Sequence, residues 1–151
     1  MKAIIQRVDS ASVTADGVFS GAVDLGFLVL LGVHSSDTAA DAELLARKTA
    51  ALRIFCDQND KMNLSLLDIQ GGVLVVSNFT LCADTKKGNR PSFVEAMEPK
   101  KADELYKYYC QCLKECGVKQ VQTGVFGADM TINLSCNGPV TICLDTEIWR
   151  K

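Results

Sequence analysis

Apolar positions recur along this chain with two different periods, and the switches between them lay out the fold. Residues 3–8 read as a strand. Residues 11–14 and 18–23 flank Asp16-Gly17, a pair suited to the positive φ angles of a tight hairpin turn. Residues 27–34 are apolar almost without a break, the pattern of a central strand buried on both faces. After Asp37, a candidate N-cap, the period becomes helical. Leu44, Leu45, Ala51 and Leu52, with the Lys48 stem between them, form one stripe, so a helix is expected to run to about Leu52. Asp57-Gln58-Asn59-Asp60 reads as a turn, and a short segment, Leu64–Ile69, leads to Gly71-Gly72. A second buried strand is predicted over 73–81, then a charged loop over 84–91 closed by Pro91.

Pro99 suits the first turn of a second helix that ends near Gly117, a natural C-terminal cap. The last third returns to period two. Met130, Ile132, Leu134 and Cys136 alternate with polar residues, and so do Val140, Ile142 and Leu144. Asn137-Gly138-Pro139 between these runs reads as the turn of a hairpin with an ordinary trans proline. The expected architecture is α+β: a single domain over residues 1–151, with about seven strands in a mixed, curved, barrel-like sheet and two long helices.

Composition narrows the class. The 151 residues are 48% hydrophobic and 23% charged, ordinary for one globular domain. No apolar run is long enough to span a bilayer, and Met1–Arg7 lacks signal-peptide anatomy, so a cytoplasmic protein is expected. Seven cysteines at irregular spacing include no Cys-x-x-Cys pair, and His34 is the single histidine. This set predicts free thiols, with neither a metal nor a cofactor. A net charge of −2 is poor equipment for coating nucleic acid by bulk charge. Lys86, Lys87 and Arg90 nonetheless form a local basic cluster, either a solvated loop or a phosphate contact.

The familiar phosphate loops and nucleophile elbows are missing. His34 ends an apolar strand and reads as a packed or capping histidine; a Cys82–His34 thiol couple is the alternative. Two segments stand out. In Ser77-Asn78-Phe79-Thr80, hydroxyl and amide groups close a buried strand, either capping it or presenting reactive groups at its end. The other is Cys136-Asn137-Gly138-Pro139-Val140-Thr141.

Taken together, several segments resemble the D-aminoacyl-tRNA deacylase family, and the resemblance runs nearly end to end. It is carried by Met1–Thr14, Leu28–Val33, Lys61–Ser65, Leu74–Ser77, Ala83–Phe93 and Thr123–Met130 in colinear order. Two positions depart from the family pattern. Asn78 stands where the strand motif has Gln, an amide one methylene longer. Cys136 stands where the second motif has Asn, while Gly138, Pro139 and Thr141 are kept.

The resemblance implies a cofactor-free hydrolase that removes D-amino acids from the 3′ end of tRNA. It implies that Gly138-Pro139 is cis and enters the active site of a second subunit in a homodimer. There its backbone would collide with an L side chain, while a D side chain points away and glycine passes. By the same resemblance Arg7 holds the Gly-Pro unit and Met130 lines the pocket floor. Ser77, Asn78 and Thr80 would position ribose and water, with backbone N–H groups around Phe79 and Thr80 facing the developing oxyanion. Lys86, Lys87 and Arg90 become candidate tRNA phosphate contacts. Rival readings are a deacylase of altered chirality, a non-catalytic tRNA-binding module, and a thiol hydrolase using Cys82.

Overall fold

The computed structural model describes residues 1–150. Its backbone is a nearly closed mixed sheet with two helices packed on one side. The main sheet runs β2 (Val18–Val23), β1 (Lys2–Ala15), β3 (Gly26–Gly32), β6 (Gly72–Ser77), β7 (Val121–Thr123), with β8 (Met130–Asp145) on the other edge of β1. Short strands β4 (Phe55–Cys56) and β5 (Met62–Leu64) make a separate ribbon. β3–β6 and β6–β7 are parallel, and every β1 pairing is antiparallel. The hydroxyl of Ser20 donates to the Thr123 carbonyl at 2.8 Å, which draws β2 towards β7 and nearly closes the sheet.

The continuous apolar run of β3 is explained by burial on both faces. Phe27, Val29 and Leu31 point to the helices, where they pack with Leu45, Tyr109 and Leu113. Leu28 packs inside the sheet's curve with Val8, Val13, Leu74 and Val76. Gly26 starts this strand at φ +157, and a Cβ there would lie 1.9 Å from the Gly72 carbonyl oxygen. Only glycine allows β3 and β6 to meet so closely at their shared start.

Both long helices form, α1 over Ala39–Ala50 and α2 over Pro99–Glu115. Glu98 caps α2 by accepting from the N–H groups of Lys100 and Lys101, and Gly117 follows the helix at φ +103. No helix is long and apolar enough to cross a membrane.

Three local expectations are corrected. Residues 3–8 and 11–14 belong to one 14-residue strand, because the exposed pair Asp9-Ser10 shifts its register without ending it. Thr38, not Asp37, caps α1: the Asp41 carboxylate accepts from the Thr38 N–H and hydroxyl, both at 2.9 Å. Asp37 is buried and receives the Met1 ammonium, Arg150 and the His34 N–H, each at 2.6 Å. The strand expected over 73–81 stops at Ser77, where the chain tightens into a 3-10 turn over Phe79–Cys82.

The expected terminal hairpin is also absent. β8 is one 16-residue strand that pairs with β1 along its length. Its alternation looked like two strands because the middle is a bulge. Between the pairs Val8↔Cys136 and Gln6↔Thr141, β1 contributes only Arg7, while β8 contributes Asn137, Gly138, Pro139 and Val140. The extra residues have no partners across the ladder; Gly138 and Pro139 stand exposed while Val140 turns into the core. The Gly138–Pro139 bond in this bulge is cis, against the trans bond that turn chemistry alone suggested and in line with the family resemblance.

Candidate active site

A cavity of about 570 Å³ opens where β3 and β6 end. Leu31 and Val33 supply its floor beside Ser77, Asn78 and Phe79, which leave β6. Met97, Ala102 and Tyr106 form the wall towards α2, and Phe126, Gly127, Ala128 and Met130 close the third side. The chain turns away from the sheet at Ser77, and Asn78 remains tied to it through a 2.8 Å bond from its N–H to the Leu31 carbonyl. The polar end of β6 is thus held in register with the apolar end of β3.

Each wall has a physical anchor. Phe79 is 59% exposed and meets Phe93 edge to face at 5.0 Å, an aromatic lip over the mouth. Tyr106 is buried and donates to the Val75 carbonyl at 2.7 Å; burial pushes its phenol well above the ordinary range. The Gly124 N–H reaches the same carbonyl at 3.2 Å, so α2 and the chain after β7 are fastened to one point of β6. Phe93, Tyr106 and Phe126 had no assigned role from sequence. Their signal was weak, because aromatic residues on loops and helices look the same whether they fill a core or frame a pocket.

The structure divides the expected site residues into three groups. Ser77, Asn78, Phe79 and Met130 line the cavity. Thr80 lies one step outside its lining, and its hydroxyl donates to the side-chain oxygen of Asn78, orienting that amide. Gly138, Pro139 and Arg7 do not line this cavity of their own chain. Arg7 is buried beneath the β8 bulge. It donates to the Ile54 carbonyl at 2.6 Å and the Asn137 carbonyl at 3.1 Å, with a longer contact to the Asn137 side-chain oxygen at 3.3 Å. Asn137 in turn donates to Asp9 at 2.8 Å, while Gly138 and Pro139 stay exposed. Lys86, Lys87 and Arg90 are exposed on the loop that leads to Phe93.

Acid–base groups in the cavity are few. Glu98 is the carboxylate in its lining, and it is occupied. The N–H groups of Lys100 and Lys101 bond to it and hold it below the usual carboxylate range, so it is a poor base. Cys82 is 2% exposed, its thiol faces the Val33 carbonyl at 3.5 Å, and burial pushes it up, which removes the thiolate a nucleophile needs. His34 is half-buried beside a bridge to Ala96, and its backbone N–H is taken by Asp37. Among the described residues no three His, Cys, Asp or Glu side chains cluster as metal ligands.

Fold and pocket define a small α+β protein whose cavity is lined, where two strands end, by hydroxyl, amide and aromatic side chains. Comparison with known proteins supplies the family. A family profile described as D-Tyr-tRNA(Tyr) deacylase matches residues 4–145, and the chain belongs to that family. D-aminoacyl-tRNA deacylases of Anaeromyxobacter dehalogenans and Phocaeicola vulgatus are 54% and 50% identical to it over 147 residues, covering 97% of this chain and 98% of each relative. A solved structure of a c-Myc DNA unwinding element binding protein superposes with a TM-score of 0.90 at 39% identity, covering 96% of this chain and 98% of the other. A probable eukaryotic D-amino acid tRNA deacylase shares the fold, with a TM-score of 0.81 at 16% identity over 95% of this chain and 97% of its own. The chain is an enzyme of the deacylase class, which hydrolyses ester bonds.

Proposed function

We propose that this enzyme hydrolyses the ester of D-aminoacyl-tRNA, accepts mischarged glycyl-tRNA, and rejects L-aminoacyl-tRNA by steric exclusion. One observation carries the reading. The Gly138–Pro139 bulge stands exposed on β8, held from beneath by Arg7 and remote from the lining of its own cavity. A segment so firmly held and so outward-facing suits insertion into a second subunit. The outer edge of β8, unpaired among the described residues, suits the same homodimer. Arg7 then positions the bulge, and the Gly-Pro main chain occupies the space an L side chain would need. A D side chain leaves through the mouth, so many D-amino acids are accepted.

The chemistry asks little of the protein, because an aminoacyl ester is already reactive. The N–H groups of Phe79 and Thr80 open the 3-10 turn ahead of its first internal bond, from the Leu81 N–H to the Asn78 carbonyl, and they face the developing oxyanion. Ser77 and Asn78 orient the terminal ribose and water, with Thr80 holding Asn78. Water attacks the ester carbonyl, assisted by the 2′-hydroxyl of the RNA. The bond to the ribose 3′ oxygen breaks, and free amino acid and tRNA leave. Met130 lines the pocket floor, and Lys86, Lys87 and Arg90 contact phosphates of the acceptor end. No cofactor takes part, and the enzyme works in the cytoplasm, where charged tRNA is used.

The test is to incubate purified protein with matched D- and L-tyrosyl-tRNA and glycyl-tRNA, with a chelator present, and follow ester loss. Rapid loss of the D- and glycyl esters with the L-ester intact is expected. Equal loss of both tyrosyl esters overturns the filter. Retention of all esters with tRNA bound returns the protein to the binding-module reading that Asn78 and Cys136 keep open.

A further inference from the structure

A second cavity, of about 530 Å³, lies on the far side of the Tyr106–Phe126 pair. Tyr106 and Phe126 line both cavities, so the two are separated by a single aromatic ridge whose ring centroids are 5.9 Å apart. One wall is the outer face of α2, where Asp103, Lys107, Cys110 and Lys114 recur at helical spacing. The other is the strip Thr123–Phe126, with Val125 49% exposed. The cavity is therefore apolar on one side, and on the other it carries two lysines against one aspartate.

The two lysines are not spent on structure. Lys114 is exposed and has no ion pair or hydrogen bond among the described residues. Lys107 pairs with Asp103 at 2.6 Å but is 71% exposed, and such a surface pair opens at little cost. Seven residues of helix set the two about 10 Å apart along the axis. Two long, flexible side chains set so can converge on successive phosphates of a single strand.

We infer that this cavity binds the RNA unit immediately 5′ of the aminoacylated adenosine, with its base against Val125 and Phe126 and its phosphates at Lys107 and Lys114. The inference rests on the deacylase reading, which puts the terminal adenosine and its ester in the first cavity. A strand that leaves that cavity over the aromatic ridge enters the second one directly. Stacking on an exposed apolar face tolerates any base, and lysine reads phosphate without reading sequence. The site therefore adds affinity for the 3′ end of any tRNA without selecting among them.

The experiment compares wild type with Lys107→Ala/Lys114→Ala and with a charge-matched control, Lys61→Ala/Lys119→Ala, two exposed lysines outside either cavity. Two substrates are used: D-tyrosyl-tRNA, and the D-tyrosyl ester of adenosine alone. The Lys107/Lys114 variant is expected to lose about tenfold in kcat/KM on the tRNA and to stay within twofold on the adenosine ester. The slope of log affinity for uncharged tRNA against log salt is expected to become shallower by about 1.4, the value for two single-strand phosphate contacts. The control should match wild type on every readout. Equal losses on both substrates, or an unchanged salt slope, overturn the inference. Failure of wild type to hydrolyse either ester sinks the deacylase reading instead, and the slope with uncharged tRNA still decides the groove.

Discussion

Replacing Arg7 by methionine tests whether the β8 bulge is held from below. Methionine keeps most of the apolar stem and removes the guanidinium. Two backbone carbonyls, those of Ile54 and Asn137, then lose their donor, and the Asn137 side-chain oxygen loses a longer contact. A hydrogen bond from a charged donor contributes about 1.5–3 kcal/mol. Counting the 2.6 and 3.1 Å bonds fully and the 3.3 Å contact hardly at all gives about 3–6 kcal/mol. For a chain of this length each kcal/mol moves the melting temperature by about 2–4 °C, so Tm should fall by about 10 °C. Lysine should recover only part of this, because one ammonium cannot serve carbonyls that a planar fork reaches in two directions. Thermal unfolding at fixed protein concentration measures the first effect. The ratio of D- to L-tyrosyl-tRNA hydrolysis measures the second, and it should fall in both variants as the bulge loosens. A methionine variant that melts within about 2 °C of wild type and keeps its chirality ratio refutes the reasoning.

Other perturbations test separate parts of the structure. Thr80→Ala leaves the Asn78 amide without its hydroxyl donor and should slow turnover about tenfold without abolishing it, a loss of about 1.4 kcal/mol in single-turnover kinetics; complete loss with a trapped acyl-enzyme in wild type would instead make Thr80 the nucleophile. Gly26→Ala should prevent folding, read as loss of soluble protein and of the circular-dichroism signal, since its Cβ would sit 1.9 Å from a backbone oxygen that cannot move without parting β3 from β6. Burial alone would raise the Asp41 carboxyl, but Arg150 and the donors of Thr38 outweigh it and hold it at about 2. The folded value lies below the ordinary 3.8, so the stabilisation is present above about pH 4 and fades as pH falls towards 2. The Tm gap between wild type and Asp41→Asn should therefore be flat from pH 8 to 5 and narrow below 4. Tyr106→Phe removes one of two donors to the Val75 carbonyl and should cost about 1 kcal/mol in urea unfolding, with KM rising more than kcat falls if the cavity wall loosens.

Much of this fold was legible because burial is periodic. The double-sided run at 27–34 and the helix stripes write their environment into every residue, so β3, α1 and α2 could be placed from the chain alone. Two of the misplacements share one cause: polar residues that break a period need not end an element. Asp9-Ser10 breaks the alternation of β1, yet the strand continues because β8 pairs with it on both sides of the break. Asn137-Gly138-Pro139 has the chemistry of a turn, yet it bulges, because the long edge of β1 lets the second run continue along the same neighbour. Local propensity cannot report a partner strand that lies 130 residues away.

The site follows the same logic in reverse. Ser77, Asn78 and Phe79 stand out in the sequence because polar groups close a buried strand, and the end of β6 at Ser77 brings them to the lining of a cavity. Phe93, Tyr106 and Phe126 interrupt nothing, and so carried no sign of their place. The cavity exists only because they converge from a loop, a helix and the segment after β7. Arg7 shows the most distant form of this dependence. Its neighbours in sequence describe a strand, but its chemistry lies with Ile54 and Asn137. On the proposed function, chirality is controlled through a charged side chain that touches no substrate, by fixing the main chain that does. Changes at Cys136 or Asn137 should therefore act through the placement of the Gly-Pro unit and appear first in the ratio of D- to L-ester hydrolysis, before they appear in the rate on the D-ester.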